Sequence, residues 1–397
     1  AVKPVEPGFL DYQKDMSQLK AKSDIPILYK QNVANDLFQL IYVFDMGNNH
    51  DKALGTAFDY LEYLGTSDMT PEELKSEFYR LACTFYVSPG NERTYVVLSG
   101  LNENMPAAVQ LFEKLLADAQ VNKEAYTNMT SDILKARSDA KLNQGQNFSR
   151  LMSFAMYGPK SPATNLLTEA ELTNMNPQEL VDRIHNQNSY KHRILYYGPS
   201  SSKDLLATIN QYHQVPAALK DIPAGNEYSY LETPVTKVLV APYDAKQIYM
   251  AQISNLDKKY DPAIEPIRAL YDEYFGGGMN SIVFQEMRET RGLAYSAWAS
   301  IMPPSYLKYP YVLRTQIATQ NDKMIDAVTT FNDIINNMPE SEAAFKLAKD
   351  GLTNRLRTER IIKGDIIWSY INAQDLGQNV DPRIKLYNDI QNMSLKD

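Results

Sequence analysis

An arginine and a tyrosine lie close together in the segment Gln285–Tyr295, where a predicted helix meets a predicted strand. Helical spacing puts Arg288 near the end of the helix, Gly292 stops the helix, and the strand that follows carries Tyr295. A guanidinium and a phenol are strong hydrogen-bond donors, so together they could hold a peptide carbonyl or stabilise its oxyanion. Spacing alone favours the alternative, in which Arg288 forms an ion pair with a neighbouring acid and Tyr295 only packs.

Three consecutive glycines, Gly276, Gly277 and Gly278, stand just before this segment. A phosphate-binding loop would follow a strand and continue into Gly-Lys-Ser/Thr, whereas these glycines follow a predicted helix and lack that continuation. We therefore interpret the triplet as a helix stop followed by a flexible turn.

The chain has four histidines and one cysteine, namely His50, His185, His192, His213 and Cys83. No histidine lies three or four residues from another, so no helix face presents a histidine pair to a metal. The cysteine lies in an apolar run without an adjacent base, and no Gly-x-Ser-x-Gly elbow occurs. The sequence therefore predicts no metal site and no covalent nucleophile in this chain.

The elements that would position Arg288 and Tyr295 occur twice along the chain. In each copy a strand-like run precedes a helix, then a short helix, two more strand-like runs and two longer helices. The first strand and helix are residues 35–44 and 51–64 in the first copy, and 247–253 and 262–275 in the second. We predict an α+β fold of two repeated domains, each a mostly antiparallel sheet with helices packed on it.

Proline and glycine residues in the stretch 215–234 separate the copies, so we place the first domain at residues 1–220 and the second at 221–397. The first copy ends with a predicted helix, 177–188, and a predicted strand, 193–197. The second copy has neither counterpart within the sequence, so we expect its sheet to be incomplete and the domain to be truncated at its C-terminus.

Charge and hydropathy exclude several functional classes. The 397 residues carry a net charge of −8, with acids and bases interspersed. Without a basic stripe the chain does not match a nucleic-acid-binding protein. No run approaches the roughly 18 apolar residues that span a bilayer. We expect a soluble protein without a membrane span; its compartment is left open, with the bacterial periplasm as one candidate.

The stretch from Phe275 to Tyr295 resembles the M16 metallopeptidase family, which includes pitrilysin, insulin-degrading enzyme and mitochondrial processing peptidase. Its glycine triplet and its Arg-Glu-x-x-Gly-Leu-x-Tyr run follow the family's pattern closely. The resemblance implies that Arg288 and Tyr295 contact substrate near the scissile bond and that the glycines help to bind it.

A zinc-binding lobe of that family carries His-x-x-Glu-His on a helix shortly before a Gly-Thr. Counting back from Gly65-Thr66, the matching positions here are Thr56, Asp59 and Tyr60. Neither histidine is present, and an aspartate replaces the general-base glutamate. The resemblance therefore implies a lobe with a degenerate zinc motif and no catalytic zinc, paired with a zinc-binding half in the same polypeptide or in a heterodimer.

Two functions remain open at this point. The first is the substrate-binding, non-zinc half of an M16 zinc metalloendopeptidase, which encloses a peptide, supplies Arg288 and Tyr295 to the scissile carbonyl and is inactive alone. The second is a non-catalytic structural or assembly protein of the same fold. The retention of both side chains favours the first.

Overall fold

The computed structural model describes residues 5–397, which form an α+β fold. Its strands are β1 (Ser17–Lys20), β2 (Pro26–Gln31), β3 (Leu37–Phe44), β4 (Cys83–Pro89), β5 (Thr94–Leu101), β6 (Arg193–Gly198), β7 (Gln247–Lys259), β8 (Ser296–Met302) and β9 (Pro310–Gln320). Its helices are α1 (Tyr12–Asp15), α2 (Leu54–Leu61), α3 (Pro71–Arg80), α4 (Met105–Asp118), α5 (Lys123–Ala140), α6 (Gln144–Tyr157), α7 (Glu169–Asn174), α8 (Gln178–Asn186), α9 (Ser202–Tyr212), α10 (Glu265–Phe275), α11 (Ile282–Phe284), α12 (Met324–Asn336), α13 (Glu342–Thr358), α14 (Asp365–Asp375) and α15 (Pro382–Ile390).

The first sheet has six strands in the order β1-β2-β6-β3-β5-β4. Only the β2–β6 pair is parallel. β3 lies inside the sheet between β6 and β5, and its run of β-branched and aromatic residues is buried almost throughout. Helices α2, α4, α8 and α9 pack on the inner face and form the larger hydrophobic core with it.

The second sheet has three antiparallel strands in the order β7-β9-β8. Helices α10, α12 and α13 pack on its inner face and form a second core. Its strand order repeats β3-β5-β4 of the first sheet, with a helix after the first strand in each. The predicted α+β fold is therefore confirmed, and the predicted repeat is confirmed in these three strands.

One helix of each repeat packs on the sheet of the other repeat. Helix α14 of the second repeat places Ile367 and Ile371 in a core with Ile41 and Val43, on the outer face of the first sheet. Helix α6 of the first repeat runs beside the second sheet, where the ring of Phe148 meets that of Tyr249 edge-on with centroids 5.6 Å apart. Each sheet is therefore covered on its outer face by the other repeat.

Several local predictions can be compared directly with the structure. The run Thr70-Pro71-Glu72-Glu73 has the sequence of a capping box, with proline at the first helical position. The box is formed at the start of α3, since Thr70 Oγ1 accepts from Glu73 N at 3.2 Å and Glu73 Oε2 accepts from Thr70 N at 2.8 Å. The stretch 215–234 contains no helix or strand. Within residues 5–397, no helix is both long and apolar enough to cross a membrane.

We retain the division between the domains at residue 220 as a proposal. Lys220 still contacts the first repeat through a single bridge to Tyr190, and the chain then runs without a helix or strand to Gln247. Because α14 packs on the first sheet and α6 packs beside the second, each repeat contacts the other. The division at residue 220 therefore marks where one repeat ends and the next begins along the chain.

Candidate functional site

The segment that carries Arg288 is wound differently from the predicted helix. Ser281 caps α11, and the chain then continues as a π-helix over Gln285–Thr290. Gly292, with φ of +55°, turns the chain out of the helix. Single π-helical turns are rare and are frequent at functional sites.

Buried contacts fix the backbone at this junction. Met287 is fully buried, and its carbonyl oxygen accepts from Leu293 N at 2.9 Å and from Ala294 N at 3.2 Å. Tyr295 N donates to Ala318 O on β9 at 2.9 Å. The π-helix is therefore joined both to the core and to the second sheet, which holds the positions of the side chains it carries.

The structure brings Arg288 and Tyr295 together at the surface. The Arg288 guanidinium carbon lies 5.8 Å from the centroid of the Tyr295 ring and 5.1 Å from that of Phe284, within the range of a cation–π contact. Arg288 is 48% exposed and Tyr295 is 74% exposed. The alternative of a packed Tyr295 is therefore not observed. The alternative ion pair is present only as a long contact of 3.6 Å to Glu289.

The glycine triplet ends α10, as its sequence pattern indicated. Gly276 N and Gly277 N both donate to Asp272 O, at 3.1 Å and 2.6 Å. A Cβ atom on Gly276 would lie 2.1 Å from Ala299 O on β8, whereas a Cβ atom on Gly278 would meet nothing within 4 Å. Packing therefore requires glycine at position 276, while position 278 faces open space.

Two hydrogen bonds join the glycine turn to the helix of Arg288. Ser281 Oγ donates to Gly278 O at 2.6 Å, and Gln285 Nε2 donates to Met279 O at 2.6 Å. The turn and the Arg288–Tyr295 pair therefore belong to one continuous surface segment.

The three positions of the degenerate zinc motif lie on α2. Tyr60 is fully buried, and its hydroxyl donates to Asn122 O at 2.6 Å and accepts from Asn122 N at 2.8 Å. Desolvation, followed by the charge of Glu62, raises the pKa of Asp59. Thr56 adds only a hydroxyl. These side chains do not fit a zinc ion, and within residues 5–397 no three His, Cys, Asp or Glu side chains are placed to hold a metal.

A buried polar cluster in the first repeat was not predicted from the sequence. His213 Nδ1 lies 2.6 Å from Glu113 Oε1, and His213 Nε2 lies 2.8 Å from His192 Nε2. The histidines were interpreted as isolated because they are distant in sequence, but the fold brings these two into contact. One signal was available: Glu113 follows Phe112 on the buried face of α4.

Hydrogen-bond geometry defines the roles of the two rings. His192 Nδ1 faces Tyr190 O at 2.7 Å and must donate, so His192 Nε2 accepts from His213 Nε2. Burial, and then the charge of His213, lowers the pKa of His192 to about 3. Nitrogens bound to one tetrahedral zinc at about 2.0–2.1 Å would be about 3.3 Å apart. The 2.8 Å contact is therefore a hydrogen bond inside a closed core.

Comparison with known proteins finds a similarity to one peptidase family over part of the chain. Residues 194–352 match the family model of the peptidase M16 inactive domain. Arg288, Tyr295 and the glycine turn all lie inside the matched region. An uncharacterized zinc protease of Rickettsia felis is 20% identical over 263 residues, which is 63% of this chain and 60% of that protein. The chain thus spans about 60% of the length of this curated relative.

Solved structures extend the likeness to the whole chain. The peptidase M16 inactive domain from Pseudomonas fluorescens has a TM-score of 0.70 at 16% identity, covering 96% of this chain and 92% of that one. The periplasmic protease PqqL from Escherichia coli has a TM-score of 0.74 at 13% identity, covering 100% of this chain and 44% of that one. At these identities the likeness shows the fold.

Proposed function

Because the chain has the M16 fold and carries an M16 inactive domain at residues 194–352, we propose that it is the substrate-binding, non-zinc half of an M16 metalloendopeptidase. It binds a peptide and presents Arg288 and Tyr295 to the scissile carbonyl. The zinc belongs to another half, in the same polypeptide or in a partner subunit. The observation that carries the proposal is the convergence of these two exposed donors on a fixed junction.

The geometry of the pair suits a substrate carbonyl. Arg288 has its guanidinium donors available because its one ion pair, with Glu289, is long and exposed. Tyr295 adds a phenolic hydroxyl on the same side of the junction. Donors that are fixed beforehand stabilise the charge that develops on a carbonyl oxygen without reorganising during the reaction. The hydrogen bonds of the buried Met287 carbonyl fix the backbone from which both side chains extend.

The glycine turn is the proposed contact for the peptide backbone. Gly278 has no neighbour where a side chain would be, so a peptide can approach the turn closely. Gly276 and Gly277 contribute indirectly, because they hold the turn against β8 and the end of α10.

The zinc and its general base come from the partner half in this proposal. Tyr60 uses its hydroxyl on Asn122, and neither Thr56 nor Asp59 replaces an imidazole. The roles assigned to this chain are therefore binding, orientation and donation of hydrogen bonds. The chain alone is expected to cleave no peptide.

Substitution of the pair in the reconstituted peptidase tests the proposal. With the zinc-binding half present, Arg288→Ala and Tyr295→Phe should each lower kcat/KM about 100-fold or more, the cost of losing one oxyanion donor. The melting temperature should stay unchanged because both side chains are exposed. Arg291→Ala is the matched control: Arg291 is 49% exposed and pairs with Glu286 at 3.3 Å, so turnover should be unchanged.

Two outcomes would contradict the proposal. Chelator-sensitive cleavage by the purified chain alone would mean that it carries its own metal site. Unchanged turnover in both Arg288→Ala and Tyr295→Phe would instead favour the structural or assembly function.

A further inference from the structure

One arginine on the outer face of the second sheet has no acid beside it. Arg314 lies on β9, is half-buried, and forms no ion pair and no side-chain hydrogen bond within residues 5–397. Its Nε is enclosed by protein atoms without a partner, while its two terminal amino groups reach the surface. A charged donor that leaves water without a partner is costly, so the arrangement favours an anion bound at the terminal amino groups.

The indole of Trp298 on β8 holds this guanidinium in place. The guanidinium carbon of Arg314 lies 5.5 Å from the centroid of the Trp298 ring, within the range of a cation–π contact. Ala297 and Ala299 belong to the second core, so alternation along the strand directs Trp298 to the outer face. With one face of the guanidinium on the indole, its outer edge stays free to donate two parallel hydrogen bonds to a carboxylate.

The face around Arg314 is positively charged. Within the described strands, Arg314 is the only charged residue among the outward-facing positions of the paired stretches, which are Tyr249, Ala251, Ile253, Asn255, Ser296, Trp298, Ser300, Met302, Val312, Arg314, Gln316 and Ala318. Helix α6 packs beside β7 on this face, and it contains one arginine and no acid. An anionic ligand therefore complements this surface.

Gln316 adds a second polar group next to Arg314. It lies two positions along β9 on the same face and pairs with Trp298 in the register of the sheet. Its half-buried amide has no hydrogen-bond partner within residues 5–397. The arginine, the indole and the amide thus form one patch in which a cation and a neutral donor are both available.

The backbone allows this patch to be compared with the first repeat. Asn102 N donates to Asp36 O just as Asn321 N donates to Lys246 O. The two asparagines therefore mark equivalent places in β5 and β9, and positions along these strands correspond when counted from them.

The position of Arg314 is covered in the first repeat. Its counterpart there is Tyr95, whose ring meets that of Trp368 on α14 with centroids 5.5 Å apart. An apolar ring lies under a helix in the first sheet, whereas a half-buried cation lies on a neighbouring indole in the second. Packing explains the tyrosine, but it does not explain a charge without a partner.

We propose that Arg314 and Trp298 form a binding site for a carboxylate group of a peptide substrate. The terminal amino groups of Arg314 donate to the two carboxylate oxygens, and the amide of Gln316 donates to the same group or to the peptide backbone next to it. An acidic side chain and a C-terminal carboxylate both supply this chemistry. The statement that the ligand is a peptide rests on the proposed function, while the preference for a carboxylate rests on the geometry of the patch.

The charge of the patch favours a carboxylate over a phosphate. One guanidinium matches the charge and the two oxygens of one carboxylate. A phosphate group carries a charge near −2 at neutral pH, so Arg314 would leave about half of it uncompensated.

Fluorescence of Trp298 in a Trp368→Phe chain tests the proposal without the zinc-binding half. The probes are a short Gly/Ser peptide with one central Asp and blocked termini, the same peptide with Asn, and a Gly/Ser peptide whose only carboxylate is its free C-terminus. A peptide with the recognised carboxylate should change the emission of Trp298 and bind at least about tenfold more tightly than the Asn peptide, which lacks the charge-assisted pair. The two acidic probes distinguish recognition of a side chain from recognition of a C-terminus.

Substitution of Arg314 should remove the preference for the carboxylate. Arg314→Gln should bind acidic and neutral peptides equally, whereas Arg314→Lys keeps the charge without the paired donors and should keep a smaller preference. Arg357→Gln is the matched control: Arg357 is half-buried and its guanidinium carbon lies 5.8 Å from the Tyr387 ring, but its Nε donates to the Tyr387 hydroxyl at 3.1 Å. This variant should keep the full preference.

Turnover by the reconstituted peptidase separates this inference from the proposed function. With a cleavable acidic peptide, Arg314→Gln should raise KM about tenfold and leave kcat unchanged, and it should not affect the Asp→Asn counterpart of that peptide. Arg288→Ala should instead lower kcat/KM for both peptides. If Arg288→Ala and Tyr295→Phe leave turnover unchanged, the proposed function fails, and a carboxylate preference at Trp298 still supports the binding site.

Three outcomes would overturn the proposal. Equal binding of the acidic and neutral peptides by the Trp368→Phe chain would remove the carboxylate preference. An unchanged preference in Arg314→Gln would place the site elsewhere. Inorganic phosphate that binds as tightly as the acidic peptides would make the patch a general anion site.

Discussion

β3 and β7 occupy the same position in the two repeats, yet only β3 is buried. The side chains of β3 are buried at all but two positions, whereas none of β7 is fully buried. Both strands contain the β-branched and aromatic residues that are typical of a sheet. The difference arises from their neighbours, since β3 lies between two strands and β7 has one. Burial of a strand is therefore set by sheet topology as much as by its own residues.

The polar groups inside the two repeats differ in kind as well. Counting from Asn102 and Asn321, Glu113 on α4 corresponds to Asn332 on α12. Glu113 contacts an ionisable histidine, His213, while Asn332 accepts from the amide of Gln252. The first repeat thus buries a carboxyl group and an imidazole, and the second partly buries two neutral amides at the matching place.

The largest expected effect comes from replacing one large buried side chain in each core with alanine. Phe112 and Phe331 are counterparts on α4 and α12, and both are fully buried. Replacing either with alanine should cost about 3–5 kcal/mol of unfolding free energy in its own repeat. The two tryptophans separate the readouts, because Trp298 lies on β8 and Trp368 stacks edge-on against Tyr95 of the first sheet.

Each readout uses a background with one tryptophan. Fluorescence of Trp298 in a Trp368→Phe chain should follow the loss caused by Phe331→Ala. Fluorescence of Trp368 in a Trp298→Phe chain should follow the loss caused by Phe112→Ala. If both tryptophans report one unfolding transition, and its midpoint shifts equally for either substitution, the two repeats unfold as a single unit. The two cores would then not differ in their contribution to stability.

An acid-dependent loss of stability should be confined to the first repeat. His192 has a pKa lowered to about 3 in the folded protein, against 6.5 for an ordinary histidine. The unfolded chain therefore takes up a proton first as pH falls, so stability is full above pH 6.5 and declines towards pH 3. His192 alone contributes a slope of at most about 1.4 kcal/mol per pH unit. Carboxylates whose pKa is lowered, such as that of Glu171, add to the slope only below about pH 4.5. Urea unfolding followed by Trp368 measures it.

Two variants isolate the source of this slope. His192→Asn removes the titrating ring from beside His213 and should flatten the pH dependence between about pH 4.5 and 6.5, even if overall stability falls. His185→Gln changes an exposed histidine whose ring forms a hydrogen bond with Ala119 O, and it should leave the slope intact. An equal acid slope at Trp298 and Trp368 would contradict the assignment to the first repeat.

The smallest effects concern the glycine turn that joins α10 to the second sheet. Gly276→Ala should destabilise by about 1–3 kcal/mol because its Cβ atom would overlap Ala299 O. Gly278→Ala should change stability by less than about 0.5 kcal/mol, since open space surrounds it. Thermal unfolding followed by Trp298 compares the two. Equal losses would mean that both positions are fixed by packing, and Gly278 would lose its value as a probe of substrate contact.

The sequence predicted those features that depend on residues close together in the chain. The capping box at Thr70 and the helix stop at Gly276 depend on a few adjacent residues, and both are present. The proximity of Arg288 and Tyr295 was also predictable, because a helix stop followed directly by a strand leaves little chain between them. Their roles in substrate contact remain proposals.

Other features depend on contacts that the sequence does not reveal. The π-helical winding around Arg288 differs from an α-helix by a small shift in hydrogen bonding. It accompanies the burial of Met287 and the two hydrogen bonds that the Met287 carbonyl accepts from Leu293 and Ala294, which are contacts of the folded chain. His192 directly precedes β6 and His213 directly follows α9. Their contact therefore depends on how α9 packs against the first sheet.

The packing of α14 on the first sheet has a consequence for synthesis. Ile366 and Ile371 cover the outer face of the first sheet, and Leu10 N donates to the carboxylate of Asp381 at 2.9 Å. The last strand of the first sheet, β6, ends at Gly198, and α14 begins at Asp365, so the strands leave the ribosome well before their cover. Until that cover leaves the ribosome, one apolar face of the first sheet stays exposed, and the emerging chain is open to chaperones and to aggregation during that interval.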